Sequence, residues 1–139
     1  MPVNRDILIN KAQTIERCVA RAREEYAVDP SSFSSSHTHQ DAAILNIQRA
    51  CEAALDISQH IISHANLGIA QSARDGFVLL AKNGIISDAL STQMQAMQGF
   101  RNIAVHDYQS LHTNIVERVI LDSLGNVLQF SATILKHYA

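Results

Sequence analysis

An all-α bundle of about five helices is the fold this sequence predicts, and three observations predict it. Apolar residues recur at three- and four-residue spacing, and no stretch keeps the two-residue rhythm of a strand. Only 5 Gly and 2 Pro interrupt the 139 residues. The chain is 47% apolar, only 5% aromatic and without Trp, so Ala, Ile and Leu must fill narrow seams between helices. Its length suits one hydrophobic core, and residues 1–139 are read as a single helical domain.

Each element follows from local pattern. Asn4 can cap a first helix that carries Leu8, Ile15, Cys18, Val19, Ala22 and Tyr26 inward and stops before Asp29-Pro30. Arg17, Arg21, Arg23, Glu24 and Glu25 form its solvated face, with i,i+4 pairs. Ser31 to Ser36 is small, polar and aperiodic, and reads as a loop. From about Gln40 to Ala65 runs the longest apolar stripe, including Ile44, Ile47, Cys51, Ala54, Ser58, Ile61 and Ile62; this is the central helix. Asn66-Leu67-Gly68 ends it in a form suited to a left-handed cap. Ser72 starts a third helix with Phe77, Leu80 and Ala81 inward, and Asn83-Gly84 stops it. A fourth begins at Ser87-Asp88, where Leu90, Met94 and Met97 have core spacing, and Gly99 breaks its pattern. Ile115, Val119, Leu121, Leu124, Leu128, Ile134 and Leu135 sustain a last helix, with Gly125 as a close-packing point.

Composition also excludes. With 11 Lys+Arg against 13 Asp+Glu the formal charge is −2, so any nucleic-acid contact must be a local patch. No apolar run is long enough to span a bilayer, and the N-terminus lacks the features of a secretion signal, so a cytoplasmic protein is expected. Cys18 and Cys51 sit in apolar helical patterns and read as buried thiols.

Two histidine groups invite a metal reading. His37, His39 and Asp41 alternate, and His60 and His64 stand four apart on one helical face. Ile61 occupies the place of the glutamate that the zinc-protease pattern needs. Capping and solvent-facing roles account for these residues, and no metal site is assigned.

Functional residue types crowd together at Arg101-Asn102-Ile103-Ala104-Val105-His106-Asp107-Tyr108. Arg101 brings a planar cation suited to a phosphate, and His106 a group that exchanges a proton near neutral pH. Metal-free cleavage of RNA needs these parts: a base for the 2′-hydroxyl, charge stabilisation at the phosphate and an acid for the leaving oxygen. Asn102 can orient a neighbour, and Tyr108 offers a hydroxyl. On a regular helix residues five apart differ by about 140°, so Arg101 and His106 would not face one target together. Either the helix is interrupted between them, as Gly99 would permit, or a second copy of the chain completes the site, the favoured arrangement. The plain alternative is a satisfied histidine and an arginine paired with Asp107 or a neighbouring acid.

The segments Ile7 to Glu25, Gln40 to Ala50, and Leu67 to Phe77 through Met97 to Tyr108 resemble the HepT-like branch of the HEPN proteins over nearly the whole chain. The family motif, an arginine, a polar residue, a histidine and a tyrosine two later, matches Arg101, Asn102, His106 and Tyr108. The resemblance implies a toxin of a toxin–antitoxin module, acting as a homodimeric, metal-independent endoribonuclease with its cleft at the dimer interface. It implies Arg101, His106 and Asn102 as catalytic residues and Tyr108 as the residue AMPylated by a minimal nucleotidyltransferase antitoxin of the MntA type. RNA and that antitoxin are the implied partners, DNA and membrane are not, and ATP would be the antitoxin's substrate rather than a cofactor here. A different class remains beside it: a non-catalytic HEPN module that binds a nucleotide or the nucleotidyltransferase.

Overall fold

A computed structural model describes residues 2–139. Six α-helices follow in order: α1 (Arg5–Ala27), α2 (His37–His64), α3 (Ala73–Lys82), α4 (Asp88–His106), α5 (Thr113–Arg118) and α6 (Leu124–His137). Four start where a short polar side chain takes up a free backbone N–H. Asn4 Oδ1 accepts from Asp6, and the hydroxyls of Ser36, Ser72 and Ser87 accept from His39, Asp75 and Leu90. The predicted stops hold as well. Asn66 (φ 55°) and Gly84 (φ 71°) take the left-handed conformation just past α2 and α3. Leu67 and Ile85 then donate back to the Ile62 and Leu80 carbonyls, closing both helix ends.

α1 and α2 form the main pair, α6 closes against α1, α2 and α4, and α3 lies on α2 and α4. The core between them takes Leu8, Ile15 and Val19 from α1 and Ile47, Ala54, Ile57 and Ile61 from α2. Phe77 and Phe130 meet edge to face at its centre, with ring centroids 5.5 Å apart. Small residues set the closest approach: a methyl on Gly76 would lie 2.7 Å from Ser58 Oγ, so only glycine lets α3 sit this near α2. Cys18 and Cys51 are buried free thiols, and burial pushes Cys51 up to about 12. Among the described residues no helix is long and apolar enough to cross a membrane.

The structure corrects the sequence reading in four places. Ser31 to Ser36, read as a loop, falls largely within a 3₁₀ helix, Pro30–Ser35, because Phe33 turns into the core and meets Tyr26 edge to face at 5.1 Å. Gly99 does not interrupt α4; the helix runs unbroken through it, and the guanidinium of Arg74 occupies the space a side chain would take. Gly125 is not a close-packing point, since a side chain there would meet nothing within 4 Å. The last helix is divided by a π turn over Val119–Ser123, which shifts the apolar register and leaves Leu121 63% exposed while Leu124 is buried.

Candidate active site

The last two turns of α4 and the 3₁₀ turn after it, Tyr108–Ser110, carry all four residues singled out from the sequence. Phe100 and Ala104 are buried and hold this end of α4 on the bundle, while Asn102, Ile103, Val105 and His106 lie outside. Helical periodicity thus aims the polar residues outward.

Arg101 leans across to α2. Its Nη2 lies 3.4 Å from Glu52 Oε1, which also accepts from Gln48 at 2.9 Å, and its Nη1 lies 3.5 Å from Asn102 Oδ1. Both arginine contacts are long, and its Nε is buried without a partner. The guanidinium is therefore loosely held and free to form a shorter bidentate contact with an oxyanion. Asn102 is fixed from below: buried Gln98 donates from Nε2 to Asn102 Oδ1 at 3.1 Å. The amide N–H groups of the exposed Asn102 keep no partner among the described residues.

His106 is the last residue of α4, exposed and without a side-chain hydrogen bond among the described residues. Asp107 caps the helix end, donating its N–H to the Ile103 carbonyl at 2.8 Å, and its Oδ2 accepts from Ser110 Oγ at 2.6 Å. That turn directs Tyr108 toward the first turns of α2, where its hydroxyl donates to Asp41 Oδ1. Burial first, then the Asp41 carboxylate, pushes the Tyr108 phenol up to about 12, although the residue stays 43% exposed. A cleft of about 360 Å³ opens beside it, lined by His37, Gln40, Asp41 and Thr113.

An unbroken α4 places Arg101 and His106 about 140° apart around the helix axis, with Asn102 and His106 on one face. Arg101 pairs with Glu52 rather than Asp107. The interruption that would have turned both groups toward one phosphate is not there.

Of the two histidine groups, His39, Asp41, His60 and His64 have local partners. His39 Nδ1 lies 2.6 Å from Glu25 Oε2, and Asp41 serves Tyr108. His60 and His64 stack with centroids 4.0 Å apart, His60 Nε2 accepts the Asn4 backbone N–H, and His64 Nδ1 bonds the His60 carbonyl. Among the described residues no three His, Cys, Asp or Glu side chains converge as a metal site would require.

Three site neighbours are not evident in the sequence. Asp41 presents itself there only as a metal-ligand type beside two histidines, and nothing local ties Glu52 to a residue 49 positions away. Gln98 carries a signal, a polar residue four before Asn102 on a face that is otherwise core.

Comparison with known proteins adds to this geometry. The model of the family described as ribonuclease HepT-like matches residues 15–134. The chain is 50% identical over 125 residues to the mRNA nuclease HepT of Shewanella oneidensis, covering 90% of this chain and 93% of that protein. It is 26% identical over 110 residues to the tRNA nuclease HepT of Aphanizomenon flos-aquae, covering 79% and 75%. Among solved structures, a tri-AMPylated HEPN toxin of Shewanella oneidensis in complex with an MNT antitoxin superposes with a TM-score of 0.88 at 49% identity, over 93% of this chain and 96% of that one. A toxin–antitoxin crystal structure with AMP-PNP gives a TM-score of 0.88 at 48% identity, over 93% and 97%.

Proposed function

Since the chain belongs to the HepT-like ribonuclease family, we propose that it is the toxin of a toxin–antitoxin pair, an endoribonuclease silenced when its partner nucleotidyltransferase AMPylates Tyr108. The observation that carries this reading is 50% identity, across 90% of the chain, to a protein known as an mRNA nuclease. The partner and the modification are supported by the tri-AMPylated toxin bound to its antitoxin, at 49% identity.

In the cleavage step Arg101 leaves its long contact with Glu52 and takes the scissile phosphate, neutralising the charge that grows there. His106 moves the proton, to the leaving 5′-oxygen or from the 2′-hydroxyl. Asn102, braced by Gln98, orients the phosphate with its unpartnered amide N–H groups. Two copies of the chain around a twofold axis bring two histidines and two arginines into one cleft, which answers the divergence of about 140° within one helix. Cytoplasmic action goes with this reading, where RNA and ATP both occur.

In the silencing step Tyr108 Oη attacks the α-phosphorus of ATP held by the partner. A P–O bond to the tyrosine forms, the bond to pyrophosphate breaks, and the phenolic proton passes to Asp41, its hydrogen-bond acceptor. The product carries a phosphate anion two residues from His106, where it competes with RNA for Arg101. Once Asp41 has released that proton to solvent, its carboxylate faces the AMP phosphate with no proton left to share, so the modified turn is pushed off α2.

RNA cleavage by wild type, Arg101→Ala and His106→Ala, with chelator and no added metal, tests the nuclease. Wild type should cut RNA and arrest growth, and each variant should fold and lose about 100-fold or more of the rate. Folded, unmodified wild type that does neither contradicts the reading.

A further inference from the structure

A polar cleft of about 670 Å³ runs between α1 and α2, away from Tyr108. Four of the chain's 11 basic residues, Lys11, Arg17, Arg21 and Arg49, line it, although the protein as a whole is acidic. Two of the four are already engaged: Lys11 bonds Asp56 at 2.9 Å, and Arg21 holds Glu24 and Glu25. The acids on the cleft wall are engaged too, Asp56 with Lys11, and Glu52 with Gln48 and Arg101. Arg17 on α1 and Arg49 on α2 form no ion pair or side-chain hydrogen bond among the described residues, and both are exposed. Both lie near the same thiol, that of Cys18, from opposite sides of the seam, and there they counter part of the rise that burial imposes.

Glu52 belongs both to this cleft and to the contact with Arg101. Along α2, Asp41, Leu45 and Glu52 share one stripe by helical spacing, with Arg49 beside it. One face of the protein thus runs from Tyr108 past Arg101 to the two unpaired guanidinium groups. Planar forks suit phosphate oxygens, and a strand gripped only at its scissile phosphate would gain little affinity for a chain with no bulk positive field.

We propose that the α1–α2 cleft, through Arg17 and Arg49, binds backbone phosphates of the RNA strand flanking the phosphate held by Arg101. The assignment deepens the nuclease reading and rests on it. It makes the two arginines positioning residues for long substrates, acting through affinity rather than chemistry.

The test uses the full chain and a labelled single-stranded RNA of mixed sequence. Binding is followed by fluorescence anisotropy in the His106→Ala background across a salt series, and cleavage by steady-state kinetics with His106 intact. Arg17→Ala/Arg49→Ala should weaken binding about tenfold or more and lower the salt slope by about 1.4, or about 0.7 for each phosphate no longer neutralised. KM should carry the loss rather than kcat, and Arg17→Lys/Arg49→Lys should recover most of it. Arg23→Ala/Arg118→Ala, which removes two charges elsewhere, should bind RNA as before. Unchanged affinity and salt slope in the cleft variant overturn the proposal, as does an equal loss in the control pair. Loss of antitoxin binding with RNA affinity intact also overturns it and assigns the cleft to that protein. Wild type that binds RNA without cutting it contradicts the nuclease reading alone, because the binding comparison still reads the cleft.

Discussion

Tyr108 and Asp41, 67 residues apart in the chain, are joined by a hydrogen bond from the phenol to the carboxylate. This bond ties the turn after α4 to the start of α2 and holds the residue proposed for modification against a proton acceptor.

The bond predicts an unusual titration. The folded-state value for Tyr108, about 12, lies above the ordinary 10.0, so the interaction stabilises the fold fully below pH 10.0 and fades as pH rises through about 12. Phenolate absorbance in a Tyr26→Phe/Tyr138→Phe background should show a midpoint near 12. Asp41→Asn should bring it down only part of the way to 10.0, since burial is the larger cause. A midpoint already at the ordinary value in wild type would contradict the geometry.

Asp41 should also matter for modification. Asp41→Asn leaves Tyr108 reachable but removes its proton acceptor, so AMP transfer by the partner should slow by about 10²-fold or more while RNA cleavage persists. Intact mass against time measures the first, and the RNA assay the second. Equal AMP transfer by both proteins would exclude Asp41 as the acceptor.

Glu52 should restrain Arg101 rather than assist it. Glu52→Gln removes the ionic hold, and because the pair is long and partly exposed, stability should change by less than about 1 kcal/mol. Cleavage should be retained or rise. Chemical denaturation and the RNA assay check the two halves, and a large fall in cleavage would give Glu52 a catalytic part.

Packing makes its own prediction at Gly76. A methyl there collides with Ser58 Oγ on the facing helix, so Gly76→Ala should cost about 1–3 kcal/mol. Ser58→Ala in the same protein should restore part of that stability, and a double-mutant cycle by denaturation measures the coupling. Additive effects would contradict the close approach of the two helices.

Much of the fold is legible in the sequence because it is written in local signals. Asn4, Ser72 and Ser87 cap the helices that their positions predict, and Asn66 and Gly84 end α2 and α3 in the left-handed conformation. What escapes depends on partners distant in sequence. Gly99 looks like a helix breaker until Arg74, from another helix, fills its place. Leu121 looks like core until a π turn shifts its register outward. Arg101, Asn102, His106 and Tyr108 are readable as a cluster because they are neighbours in the chain. Their partners Glu52 and Asp41 are not, since only packing of α2 beside α4 brings them there.

Silencing of the nuclease by modification of Tyr108 is tested most directly by RNA cleavage, without added metal, by one preparation before and after treatment with the partner nucleotidyltransferase and ATP, with intact mass recorded for both. The untreated protein should cut RNA, treatment should add AMP masses mapping to Tyr108, and the modified protein should no longer cut. Cleavage that continues at full rate after Tyr108 is modified, or a protein that cuts RNA in neither form, would contradict it.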